Sequence, residues 1–113
     1  MKFSDVDIEA AAERIPRKSV DMTKFWGEGA IVYGRPVTPA DHRRVSVKHK
    51  NFTTNPTLDG MCMMICLVAQ TESGENFFEL SDRLKLVKMP VEILTPLFEL
   101  VGGAIDEDEL EKN

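Results

Sequence analysis

The stretch FFELSDRLKLVKMPVEILTPLFELVGGAI, residues 77–105, holds the densest run of large apolar side chains in the chain. Its second half decides the fold. Pro90 stands where a first-turn proline is tolerated, because that N–H has no partner inside a helix. After it Val91, Leu94, Phe98 and Val101 recur at helical spacing, and Ile93, Leu97 and Leu100 widen the stripe. Gly102-Gly103 offers a left-handed stop. The spacing predicts a short, well-buried helix over Val91–Val101, interrupted and bent by Pro96. The rest of the chain then has this helix to cover. If Phe98 is fully buried, Phe98→Ala costs about 3–5 kcal/mol.

Composition bounds what can be built around that helix. The 113 residues suffice for one domain with a real core. No apolar run reaches the length of about 18 residues that reads as a membrane span. The N-terminus, MKFSDVDIEA, has an acidic start and no apolar signal core, so no export signal is expected. A net charge of −5 argues against nucleic acid as a main partner. Cys62 and Cys66 would share a helix face, where a disulfide is strained. They read as two buried, small hydrophobic residues in a reducing compartment.

Working back toward the N-terminus, Leu58, Met61, Ile65 and Val68 lie at three- and four-residue steps behind a capping Thr57. Cys62, Met64, Cys66, Leu67 and Ala69 make that helix apolar nearly all round, so it is central or at an interface. A buried strand is the competing reading, since period alone does not separate short apolar runs. Met61, Met63 and Met64 are adaptable packers that suit either the core or a protein-binding groove. Between this helix and the closing one, Gln70–Asn76 is a turn with Gly74 in positive φ, Phe77 and Phe78 re-enter the core, and Ser81-Asp82 opens a short helix.

Thr38-Pro39-Ala40-Asp41 is a further helix start, with Thr38 as the cap and Asp41 at the third position. The helix that follows is basic through Arg43, Arg44, Lys48 and Lys50, in an otherwise acidic protein. Either it is a solvated face or Arg43, Arg44 and Lys48 meet an acidic partner. Val45 and Val47, two apart, suit a strand better than a helix, so a short helix and then an irregular segment through Asn55-Pro56 is expected. His42 and His49 read as surface residues rather than metal ligands, for want of a carboxylate or thiol cluster.

Lys18–Met22 and Ala30–Tyr33 flank a glycine-containing connection and read as a β-hairpin. Trp26 is its natural anchor onto the helices, and Phe25 or Trp26 is a candidate partner contact. Ahead of it, Ser4 as cap, Asp7 three residues on and a Phe3–Ile8 staple mark a helix that ends at Ile15-Pro16. The expected fold is α+β, a mostly helical single domain of residues 1–113. It comprises an N-terminal helix (1–15), a small N-terminal β-hairpin (16–37), a helical core (38–105) and an acidic tail (106–113). Leu58, Met61, Ile65, Phe77, Leu94, Leu97 and Phe98 are the expected core.

No Ser/His/Asp or Cys/His set assembles, and Gly27-Glu28-Gly29 lacks the third glycine and following helix of a dinucleotide site. The chain therefore reads as a non-enzyme with no catalytic, cofactor or metal residues. The basic middle and acidic end are a sign asymmetry compatible with self-association.

The order of elements resembles the tail assembly chaperone family of long-tailed bacteriophages. The resemblance lies in RIPRKSVDM (14–22), WGEGAIVYGRPVTPADHRR (26–44), ICLVAQTESGENFFELSDRLKLV (65–87) and MPVEILTPLFELVGGAIDEDELEKN (89–113). Pro96 and SVKHKNFTTNP (46–56) depart from the family pattern. The resemblance implies a protein that binds the tape measure protein, keeps its apolar helices soluble and helps recruit the tail tube protein. It also implies residence in the host cytoplasm and absence from the mature virion, with no membrane partner. Many genes of that family make a longer product by frameshifting near their end, and Glu111-Lys112-Asn113 can be encoded by an A-rich slippery run; the codons of the gene decide whether one is present. A structural tail component or other small virion protein is the second reading, and a DNA-binding regulator using residues 38–50 the third. Phe25, Trp26, Arg43, Arg44, Lys48, Met61, Met63 and Met64 are the candidate partner-binding residues.

Overall fold

A computed structural model describes residues 1–102. The expected acidic tail and the glycine stop at Gly103 lie outside the described residues. Among those described, the elements run α1 (Ile8–Glu13), β1 (Lys18–Asp21), α2 (Thr23–Trp26), β2 (Ile31–Gly34), α3 (Pro39–Lys48), α4 (Leu58–Val68), β3 (Ala69–Gln70), α5 (Arg83–Leu86) and α6 (Val91–Phe98). Single 3-10 turns at Phe3–Asp5, Leu80–Asp82 and Glu99–Val101 complete them. The architecture is α+β, mostly helical, with one small antiparallel sheet.

The hairpin forms as expected. β1 and β2 pair antiparallel with Val20 opposite Val32, and Val20, Met22 and Val32 are all buried. Alternation places these three on the core face. The connection is not a plain loop but the one-turn helix α2. Asp21 holds its start, accepting from the backbone N–H and the hydroxyl of Thr23. A third strand was not foreseen inside the expected helical core. Ala69 leaves α4 with extended backbone and pairs at once with β2, giving the order β1-β2-β3. Two residues are too few to show alternation, so their sequence looks like the end of a helix. The turn after β3 closes with Thr71 N–H donating to Glu75 O, and Gly74 supplies φ +94° as predicted.

α4 is the central helix. Gly60, Cys62, Met63, Met64, Ile65, Cys66 and Val68 are buried, and it packs against α3, α5, α6 and the Glu99–Val101 turn. Thr57 caps it, its hydroxyl accepting from Gly60 N–H at 3.0 Å. Leu58, an expected core residue, is instead 56% exposed, at the first helical position of α4, whereas Gly60 in the same turn is buried against Phe52. Met61, Phe77 and Phe98 are half-buried around the core, whereas Ile65, Leu94 and Leu97 lie within it. Both cysteines are buried and unpaired.

The closing helix is shifted from expectation. Pro90 is extended (φ −53°, ψ 143°) and precedes the first helical residue, so it is the cap and not a first-turn residue. Val91 is exposed, and the buried stripe is Leu94, Leu97, Leu100 and Val101. α6 continues past Pro96 but tightens into a 3-10 turn at Glu99. Gly102 is right-handed (φ −60°), not the left-handed stop expected there.

Two further corrections concern helix ends. Asp7, not Ser4, caps α1, and Phe3 and Ile8 are exposed, so no staple forms. α3 runs unbroken through both Val45 and Val47, burying the first and exposing the second. The segment after it is anchored. Asn51 turns the chain with φ 60°, and Phe52 is driven into the core beside Gly60. His42 packs next to Phe52 with ring centroids 6.0 Å apart, half-buried and not on the surface; its Nδ1 has no hydrogen-bond partner among the described residues.

These packings separate three variants by urea melts. Leu97→Ala loses about 2–5 kcal/mol, and Phe98→Ala loses less because its ring is already partly in water. A Cβ at Gly60 would stand 2.5 Å from the buried Phe52 ring. Gly60→Ala is therefore expected to destabilise by about 1–3 kcal/mol, against the usual helical preference for alanine.

Candidate protein-binding cleft

One arginine places the site. Arg35 follows β2 directly, and its guanidinium makes two parallel bonds to the carboxylate of Asp41, at 2.8 and 2.7 Å. The same group donates to Leu67 O and Pro36 O, both at 3.1 Å, and Arg35 N–H donates to Val68 O. The end of the sheet, the start of α3 and the end of α4 are thus held together. Asp41 also completes the capping box, accepting from Thr38 N–H at 2.9 Å and from its hydroxyl at 3.0 Å, while Asp41 N–H donates to Thr38 Oγ1. Arg35 did not stand out in the sequence, because its partner is fixed only when α3 is laid beside α4.

Burial alone pushes the Asp41 carboxyl up. The Arg35 hydrogen bonds, the Thr38 N–H and the arginine charge together outweigh it and hold the group below its ordinary value of 3.8. The Asp41 hydrogen bond likewise raises Arg35 despite its partial burial.

Beside this clamp opens a cleft of about 850 Å³, lined by Arg35, Arg44, Cys66, Leu67 and the Asn76–Leu80 segment with Asp82. Phe77 and Phe78 form its aromatic wall, edge to face at 4.9 Å. Trp26 backs them, nearly parallel to Phe77 and perpendicular to Phe78, each at 6.2 Å. Trp26 is therefore the anchor of the hairpin, and Phe25 beside it is exposed, with Lys24 Nζ 5.4 Å from its ring centre. Arg43, Arg44 and Lys48 are exposed on α3, and among the described residues none of the three makes an ion pair.

The structure thus brings together Trp26 and Arg44 of the candidate residues, around two phenylalanines the sequence placed only in the core. Phe25, Arg43 and Lys48 are accessible but do not line the cleft. Met61 is half-buried. Met63 and Met64 are a correction: both are fully buried, because α4 is covered on nearly every side and leaves them no open groove. Cys66 reaches the cleft floor, but burial above all, with the nearby Asp82 charge, pushes its thiol up to about 12, so it stays protonated at neutral pH. Among the described residues no group of three His, Cys, Asp or Glu side chains is placed to hold a metal ion. No described helix is long and apolar enough to cross a membrane.

The acid limb of stability should report the clamp. With its folded value depressed, Asp41 contributes fully above pH 3.8 and loses the contribution as pH falls through the lower value. Asp41→Asn should cost about 2–4 kcal/mol at pH 7, measured by denaturant unfolding, and should flatten the decline of stability below pH 4.

The cleft sets two half-buried aromatic rings near the Arg44 guanidinium, which makes no ion pair among the described residues, in a lining that also carries Asn76, Glu79 and Asp82. Comparison of the chain with protein-family models, with curated proteins and with solved structures finds no match.

Proposed function

We propose that this protein is a phage tail assembly chaperone, which binds the tape measure protein and helps recruit tail tube subunits during tail morphogenesis. The cleft between α3 and the Asn76–Asp82 segment carries the reading. An amphipathic helix can set apolar side chains on Phe77 and Phe78 and a carboxylate on Arg44. The polar lining that surrounds the two rings suits the flanks of an amphipathic helix rather than a wholly apolar one. The order of motifs from Arg14 onward, which resembles the chaperone family, supplies the identity of the client. The activity belongs to the host cytoplasm, and the protein leaves before the virion is finished.

The test is co-expression with the tape measure protein of the same phage, followed by affinity capture. A soluble complex is expected where the tape measure protein alone is insoluble. Arg44→Glu, on an exposed side chain, should weaken capture about tenfold or more while leaving the melting curve unchanged. Failure to bind, with the protein present in purified virions, would replace this reading with that of a structural tail component.

A further inference from the structure

The first fifteen residues form an arm that the body of the protein does not cover. Among residues 1–19 none is buried, and only Ala10 is even half-buried. The arm still carries large apolar side chains: Phe3 is 76% exposed and Ile8 66%, with Val6 and Ile15 exposed beside them. α1 has six residues, far short of the roughly 12–15 that an isolated helix needs in water. An apolar, capped and otherwise unsupported helix gains its stability only by packing on something.

The root of the arm is fixed, which aims it. Arg17 donates to Gln70 Oε1, Thr71 O and Glu72 O, at 3.3, 3.0 and 2.7 Å, and its guanidinium lies 4.6 Å from the centre of the Tyr33 ring. Pro16 separates this anchor from α1. A groove of about 550 Å³, lined in part by Ala12, Ile15, Pro36 and Thr38, lies between the arm and the body.

The charges say what the arm fits. Asp5, Asp7, Glu9 and Glu13 make it acidic, against Lys2 and Arg14. The outward face of α3 is the complement. Ala40, Arg43 and Val47 follow one another at helical steps, Lys50 comes just beyond, and Val47 is 79% exposed. Arg43 and Lys50 make no ion pair among the described residues. An acidic arm with apolar side chains and a basic helix face with an apolar centre occur on the same molecule.

We propose that the N-terminal arm of one copy docks on the outward face of α3 of a second copy. Reciprocal exchange of the two arms closes a two-fold dimer, because each protomer supplies both halves of the contact. Arg43, Val47 and Lys50 receive the arm, and Phe3, Ile8 and the arm carboxylates bind there. The contact uses neither Phe77 nor Phe78, so it stands apart from the proposed client cleft.

Sedimentation velocity on the full chain, from low to high micromolar protein and at low and high salt, tests it. A dimer is expected at low salt, weakened as salt is raised. Deleting residues 2–15 should yield a monomer with an unchanged melting curve. Arg43→Glu/Lys50→Glu and, separately, Asp5→Lys/Asp7→Lys/Glu9→Lys should each raise the dissociation constant about tenfold or more. Mixing the two charge-swapped proteins should restore a dimer in which both contacts are attractive again, because the acidic arm of the first meets the basic face of the second and the lysine arm of the second meets the glutamate face of the first. A monomer under all conditions, or a dimer that survives either swap unchanged, would overturn the proposal. So would an arm that is required for tape measure capture but not for self-association. Because Arg43→Glu/Lys50→Glu leaves Phe77, Phe78 and Arg44 in place, client capture by that variant separates failure of this interface from failure of the cleft.

Discussion

The Arg35–Asp41 pair is the constraint on which the rest of the structure depends. A helix leaves its last carbonyls without partners, and α4 ends in the middle of the protein, where water is scarce. Arg35 supplies those partners, through its backbone N–H to Val68 O and its guanidinium to Leu67 O. A positive charge at that end also suits the helix dipole. The guanidinium, partly exposed at the cleft, is neutralised by Asp41, to which it donates two parallel bonds. One residue thus joins strand, helix start and helix end.

That junction explains both the sheet and the cleft. With α4 terminated beside β2, its next two residues fall into register with Tyr33 and Gly34 and become β3. A two-stranded hairpin is marginal alone, and the third strand with the Glu99–Val101 turn beneath it resolves that. Gly34 matters here, since a side chain would press on Leu100 at 3.1–3.2 Å. Beyond β3 the tight turn at Gly74 returns the chain toward Trp26, which stacks Phe77 and Phe78 opposite α3. The cleft is the gap left where two connections diverge from one clamp.

The surfaces that remain are of two kinds. The cleft pairs aromatic rings with Arg44 and lies between elements of the body. The arm and the outward face of α3 are exposed, oppositely charged and far less supported.

Much of this was local and therefore legible. The Thr38 and Thr57 caps, the Gly74 turn, the hairpin with Val20 and Met22 inward, and the all-round burial of α4 follow from short-range backbone rules and apolar spacing. Of the candidate site, Trp26 and Arg44 were visible as residue types out of keeping with their surroundings. What the sequence could not order was anything set by neighbours far along the chain. Met63 and Met64 look as adaptable as Met61, but three helices and a turn close over them. Leu58 fits the apolar stripe and yet is exposed at the first helical position of α4. Phe3 and Ile8 have staple spacing but no surface to staple to. Arg35 is one basic residue among fourteen until α3 and α4 are packed. Spacing determines which face of an element is apolar; only tertiary packing, which decides what lies against that face, determines whether it becomes core, cleft or contact.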